Sequence, residues 1–272
     1  MATSFSCHGA TALITGASAG LGVEFARQLA PRARRLLLVA RREPELLAVR
    51  EELLRLHPQL EIIVCPADVS TAEGRQCIVA KIAESQSAVN LLVNNAGLGD
   101  YGLFETADTA RIQQQIDVNI TGLVLLTHAM LPLLRQSRPA GILNVGSLAG
   151  TLPLPGMAIY AATKAFVISF TEALRIELLD EGIQVAAVCP GPTPTKFSQT
   201  SRRVDGSDTD RSGQEFLKMP NDRVVAAGLA AVERGTAQVY PGWGVVLSAL
   251  VFRQLPRWLV RVLLTRRFRA AR

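Results

Sequence analysis

The 272-residue sequence predicts an α/β fold, with one doubly wound parallel sheet between two layers of helices in a three-layer sandwich. Three observations predict it. Short apolar runs alternate with longer helical patterns over the first two-thirds of the chain. Several of the runs are apolar throughout rather than alternating, as strands covered on both faces must be. A glycine-rich turn joins the first run to the first helical pattern.

In chain order, strands are expected at residues 11–15, 36–40, 61–65, 91–94, 142–145 and 184–188. Helices are expected at 20–30, 43–56, 72–84, 111–134 and 157–181. Each strand–helix–strand step implies a right-handed crossover, which places all the strands in one sheet. Neither a linker nor a solenoid-type repeat interrupts the pattern before residue 190, so residues 1–272 read as a single domain. Residues 198–214 are rich in Ser, Asp, Arg and Gly, and the stretch 196–220 is expected to be a flexible substrate loop. Residues 243–272 form an extension, apolar at first and then basic.

Composition excludes several classes. With 49% hydrophobic and 19% charged residues, the chain has ample material for a core and is not disordered. Its first residues lack a basic stretch followed by an apolar one, so no secretory signal is expected. Cys7, Cys65, Cys77 and Cys189 form no CxxC pair, and His8, His57 and His128 stand apart. Neither a disulfide framework nor a metal site is expected, and a reducing, cytoplasmic setting is the default. The net charge of +6 is carried by one end: seven arginines and no acid occur from Arg253 onward, leaving the remainder nearly neutral. Basic residues clustered there, without an aromatic stacking platform, do not make a nucleic-acid groove.

The turn Thr15-Gly16-Ala17-Ser18-Ala19-Gly20-Leu21-Gly22 follows the first strand and opens a helix. Glycines let the backbone turn sharply and approach a pyrophosphate, and the helix N-terminus offers unpaired N–H groups with a favourable dipole. The spacing is G-x3-G-x-G rather than G-x-G-x-x-G, so its position in a Rossmann-like strand–turn–helix carries the assignment. The second strand ends Ala40-Arg41-Arg42, with no acid to grip a ribose 2′-hydroxyl. Ala40 removes repulsion and Arg41 supplies a bidentate ligand for a 2′-phosphate, which points to NADP(H). The competing reading makes Arg41 and Arg42 solvated charges and Glu43 the ribose partner. Glu43 fits better as the first residue of the next helix, where an acid suits the dipole.

Tyr160 and Lys164 are four residues apart in a helical run and project from one face. A nearby ammonium favours the phenolate form of a tyrosine, whose free pKa of ~10 is otherwise too high for proton transfer at neutral pH. Ser147 follows the strand at 142–145, at the sheet edge where such folds place their chemistry, and its hydroxyl can bond a substrate oxygen. The conjunction carries more weight than any one motif.

With these motifs in order, the sequence resembles the short-chain dehydrogenase/reductase family, of the compact single-domain type. The match comprises Thr15–Gly22, Asp68, Asn94-Asn95-Ala96-Gly97, Asn119, Ser147, Tyr160-x-x-x-Lys164 and Pro190-Gly191-x-x-x-Thr195. It covers about three-quarters of the chain and weakens beyond Thr195. The resemblance implies that Tyr160 is the general acid in reduction and the general base in oxidation. It implies that Lys164 lowers the Tyr160 pKa and holds the nicotinamide ribose, that Ser147 polarises the carbonyl, and that Asn119 anchors a water leading from Lys164. Gly16, Ser18, Ala19, Gly20, Leu21 and Gly22 would hold the pyrophosphate. Asp68 and Val69 would border the adenine, and Asn95, Ala96 and Gly97 the adenosine ribose. Pro190, Gly191 and the Thr193 backbone would meet the nicotinamide, and Thr195 the phosphates. The family commonly forms homodimers or homotetramers through the helix bearing the tyrosine.

The implied activity is NADP(H)-dependent interconversion of a carbonyl and an alcohol. Leu152, Leu154 and Met157 point to a hydrophobic or lipid-like substrate. A non-catalytic dinucleotide sensor is the rival, and it is disfavoured by the presence of Ser147, Tyr160 and Lys164 together. A membrane-surface scaffold is the other. The apolar run 245–252 is too short to span a bilayer, and Arg253, Pro256, Arg257 and Arg261 interrupt the apolar stretch beyond it. Two readings of the extension stand: a strand and helix covering the substrate pocket or a subunit interface, or an interfacial helix. In the second, Trp258, Leu259, Val262 and Leu263 enter lipid while Arg257, Arg261, Arg266 and Arg267 meet headgroups.

Overall fold

The computed structural model describes residues 4–193, Phe197, Ser201, Arg203 and residues 218–270. Seven strands among them form one all-parallel sheet in the order β3-β2-β1-β4-β5-β6-β7. The strands are β1 (Thr11–Thr15), β2 (Arg35–Ala40), β3 (Glu61–Pro66), β4 (Leu91–Asn94), β5 (Ala140–Val145), β6 (Ile183–Val188) and β7 (Gln238–Val239). After β3 the chain crosses back to pair β4 with the free edge of β1. The carboxyl ends of β1 and β4 therefore diverge into a crevice, the topological switch point at which such sheets bind ligands.

Burial explains the continuous apolar strands. All positions of β1, β4 and β5 are buried, because helices cover both faces. On one face lie α1 (Gly20–Leu29), α2 (Glu43–Leu56) and α7 (Asn221–Arg234), which pack Phe25, Leu46, Leu53 and Leu229 against Ile14, Leu36 and Val188. On the other lie α3 (Ala72–Glu84), α5 (Leu123–Gln136) and α6 (Ala158–Glu177), which pack Ile78, Ile82, Leu126, Met130 and Leu174 against Leu13, Leu37 and Ile142. Each such fully buried aliphatic side chain contributes ~2 kcal/mol.

The single helix expected at 111–134 is three segments. α4 (Thr109–Ile116) leads through a wide π turn, Asp117–Gly122, into α5. Apolar periodicity does not distinguish the two, because one inserted residue shifts the phase without removing the stripe. The stretch Thr109–Gln136 is long and apolar enough to cross a membrane. It is nevertheless a core element, since Leu126, Met130 and Leu134 are sealed against the sheet. Beyond β6 the strand and helix expected in the extension 243–272 are instead two helices. They follow β7 and are α8 (Trp243–Gln254) and α9 (Arg257–Ala270). Most of the expected loop at 196–220, with Thr195, lies outside the described residues.

Candidate active site

The phosphate loop is held by the neighbouring strand end. The Thr15 hydroxyl accepts from the Asn95 and Ala96 N–H groups at 2.9 and 3.0 Å, and Asn95 Nδ2 donates to the Thr15 carbonyl at 2.8 Å. Asn95 therefore ties the loop to β4, and it does so from within the sheet. Gly16 sits at φ +67°, and a Cβ there would lie 2.9 Å from Asn95 Nδ2. A Cβ on Gly22 would collide with the Gly16 carbonyl, so the helix can start this close to the turn only with glycine.

Thr71 and Asp108 cap α3 and α4 with side-chain oxygens, whereas α1 begins at Ala19 with no side-chain cap. The first-turn N–H groups of Gly20 and Leu21 thus face the crevice as donors for an anion. Residues that would hold a dinucleotide pyrophosphate are in place, and they fit the group.

At the adenosine end, Glu43 begins α2 as an acid in its first turn, which removes it from competition for a ribose. Arg41 Nη1 lies 3.8 Å from Asp68 Oδ2, and Arg42 Nη2 donates to Ser18 Oγ at 3.4 Å. The two arginines bracket the turn, so Arg42 joins Arg41 as a ligand candidate. The sequence signal for it was the ArgArg pair itself. Asp68 also accepts from the Ser70 N–H and hydroxyl, which fixes the β3–α3 corner. Val69 is buried, and its carbonyl accepts from Arg75. A cavity of about 450 Å³ opens beside this corner, lined by Ser70, Asp108, Arg111 and Asp117. Ser147, Tyr160 and Lys164 are not among its lining residues.

The residues expected to be catalytic converge on one platform. Ser147 leaves β5 in an extended conformation, and its Oγ accepts from the Ala149 N–H at 3.1 Å. The short turn that follows, Leu148–Thr151, packs on α6: a Cβ on Gly150 would lie 2.6 Å from the Lys164 carbonyl carbon. Lys164 is 5% exposed and its Nζ donates to the Val145 carbonyl at 2.7 Å, two residues before Ser147. The same Nζ lies 5.9 Å from the Tyr160 ring centroid. Burial pushes the Lys164 ammonium down to about 8, opposed by Cys189. Cys189, beneath the platform, is pushed up to about 12 by its own burial and is an inert wall.

Asn119 sits within the π turn. Its Oδ1 accepts from the Leu98 N–H at 2.8 Å, while Nδ2 donates to the Leu98 carbonyl at 2.9 Å and to Thr163 Oγ1 at 3.0 Å. Thr163 in turn donates to the Tyr160 carbonyl at 2.8 Å. The wide turn lets one amide clamp both the Gly97–Leu98 segment and α6. Thr163 is a positioning residue that no motif announced. Gly97 lies between Asn119 and Lys164, where a Cβ would be 3.6 Å from each side chain. Pro190 accepts from the Leu148 N–H at 2.9 Å, which carries Gly191 and the half-buried Thr193 to the same mouth.

Three described residues of the following loop reach this mouth. The Phe197 ring lies 5.4 Å from that of Tyr160, the buried Ser201 carbonyl accepts from the Tyr101 N–H, and Arg203 pairs with Asp100 at 2.5 Å.

A family model for short chain dehydrogenases matches residues 10–205. The chain belongs to the short-chain dehydrogenase/reductase family. Sulfoacetaldehyde reductase 2 of Chromohalobacter salexigens is 38% identical over 200 residues, covering 73% of this chain and 78% of that protein. The NADP-dependent 3-hydroxy acid dehydrogenase of Schizosaccharomyces pombe is 35% identical over 208 residues, covering 74% of this chain and 78% of its own. The solved short-chain dehydrogenase from Sphingobium yanoikuyae in complex with NADPH matches at TM-score 0.76 and 31% identity, covering 89% of this chain and 92% of that one. This short-chain dehydrogenase/reductase thus shares the family's fold over nearly its whole length, while the family model stops before α7, α8 and α9.

Proposed function

We propose that this short-chain dehydrogenase/reductase is an NADP(H)-dependent carbonyl reductase and alcohol dehydrogenase acting on a hydrophobic or lipid-like substrate. The observation that carries the reading is the buried platform on which Lys164 Nζ lies 5.9 Å from the Tyr160 ring beside the Ser147 turn. When bound, the dinucleotide supplies or accepts the hydride. The protein's part is proton transfer and orientation. Tyr160 Oη delivers a proton to the carbonyl oxygen in reduction and withdraws it in oxidation, the Lys164 ammonium favours the phenolate, and the Ser147 hydroxyl donates to the same substrate oxygen. Asn119 holds the Leu98 backbone and α6 in register for this, and can anchor a water on the path to Lys164.

Arg41 and Arg42 favour the phosphorylated cofactor by charge-assisted bonds to a 2′-phosphate. The NADPH-bound relative from Sphingobium and the NADP-dependent relative from fission yeast support that preference. Phe197 over Tyr160, with the buried Tyr101 and Leu148 near the mouth, favours an apolar substrate. Leu125 and Phe166 are exposed on α5 and α6, and Phe166 stacks on Phe170 at 5.9 Å, a surface suited to a second copy of the chain. All four thiols are free, as suits a reducing cytoplasm.

The test is Tyr160→Phe. Turnover of NADPH against a panel of ketones, aldehydes and 3-oxoacyl thioesters should fall about 10³-fold. NADPH affinity, read by fluorescence titration, should stay near that of the parent. Normal turnover in the variant would sink the mechanism. A parent that binds NADPH yet turns over nothing would favour the sensor.

A further inference from the structure

The helices α8 and α9 lie beyond the family match, and α8 has two unlike faces. Val245 and Ala249, one turn apart, are buried against Leu148 in the turn after Ser147, with Tyr240 alongside. On the opposite side Trp243, Val246, Leu247 and Leu250 recur at spacings of three and four and are all exposed, Trp243 to 84%. A helix that covers the core by one face has no reason to carry a second apolar stripe in water. α9 follows after two residues. It buries Val260 and exposes Trp258, Val262 and Leu263 among the exposed Arg257, Arg261, Arg266 and Arg269. The inner face of α8 thus covers the turn after Ser147, as a pocket-covering element would, though with a helix in place of a strand, and the outer face is left exposed.

We propose that the exposed faces of α8 and α9 form a docking surface for an anionic lipid bilayer. The charge identifies the occupant. No acidic residue follows Glu233, and seven arginines occur from Arg253 onward. A second copy would bring the same positive surface against it. The rest of the chain, with 22 basic and 23 acidic residues by difference from the 29 and 23 of the whole, offers no strongly acidic counterpart. A bilayer surface supplies both missing halves: acyl chains for Trp243, Leu247 and Leu250, and anionic headgroups for the arginines. Trp243 and Trp258 are of the type that settles at the headgroup boundary. Because the inner face of α8 rests on Leu148, the bilayer would lie beside the Ser147 turn.

The experiment is flotation of the full chain with vesicles of phosphatidylcholine alone and with about one quarter phosphatidylserine. Binding is expected on the anionic vesicles, with little on the neutral ones. It should fall as salt rises from 0.1 to 1 M and the Debye length shrinks from about 10 to about 3 Å. The double variant Leu247→Ser/Leu250→Ser should lose roughly tenfold in vesicle binding, and Arg257→Gln/Arg261→Gln a similar amount, with thermal unfolding unchanged in both. Absence of flotation by the parent at every salt overturns the proposal. So does a parent that stays off vesicles but drops to a smaller mass in light scattering when Leu247 and Leu250 are changed, since that assigns the face to a second copy.

Discussion

Around Tyr160 the polar atoms are held by internal partners, whereas α8 and α9 turn apolar and basic side chains outward. Lys164 is fixed by the Val145 carbonyl, Asn119 by Leu98 and Thr163, and Ser147 by the Ala149 N–H. In α9, by contrast, Val260 is buried while Trp258, Val262 and Leu263 are exposed. The first region is pre-organised for a small molecule whose position must be exact to a fraction of an ångström. The second has the loosely specified, amphipathic character of a surface that meets something broad and soft. The two regions thus differ in how tightly their side chains are specified.

Lys164 offers the sharpest way to break this comparison. If the platform is organised for chemistry rather than for stability, its central charge should be a burden on the fold. The folded-state value of about 8 lies below the ordinary 10.5, so the native state releases this proton before the unfolded chain does. The burial penalty is then fully present below pH 8 and disappears as pH rises past 10.5. Stability from this group increases across that window, by about 3 kcal/mol in all. Lys164→Met should lower kcat/KM by roughly 10²–10³-fold. At pH 7 it should still melt at or above the parent, with the gain reduced by about 1 kcal/mol for the Val145 bond. The margin should shrink toward pH 10 in calorimetry. A variant that melts lower at neutral pH and higher at alkaline pH would reverse the assignment.

The cofactor end comes next in size. Arg41→Asp places a carboxylate beside Asp68 and the expected 2′-phosphate, and should raise the NADPH KM by about 10–100-fold with far less effect on NADH. Arg42→Ala should give a smaller loss of the same sign, about threefold to tenfold, because it removes one exposed positive charge without placing a negative one beside the phosphate. Equal losses for both cofactors would remove the pair from 2′-phosphate recognition.

How much of this was legible in sequence follows the same divide. Tyr160 and Lys164 could be read because a helix puts positions i and i+4 together whatever the rest of the chain does. The glycine turn could be read because Gly16 and Gly22 answer to local sterics. Thr163 was missed because its role depends on the π turn bringing Asn119 to it, and an inserted residue leaves the apolar stripe intact. Asp100–Arg203 and Phe197–Tyr160 were missed because they join segments with no mutual periodicity. The extension begins with a helix rather than a strand because Val245 and Ala249 pack as successive turns on Leu148. An unbroken apolar run does not choose between the two periods.

The smallest effects fall on α8, where they compare its two faces directly. Val245 is 1% exposed and fills the space over Leu148, so Val245→Ala should cost about 1–2 kcal/mol and lower Tm accordingly. The loosened Leu148–Thr151 turn should also raise the carbonyl-substrate KM, by about twofold to fivefold, since Ser147 begins that turn. Leu247→Ser, two residues on and 54% exposed, should change stability by less than about 0.5 kcal/mol and leave KM alone. Paired thermal melts and substrate titrations on a water-soluble carbonyl read both. If Leu247→Ser destabilised as much as Val245→Ala, the outer stripe would be core rather than surface, and the division of labour within α8 would be lost.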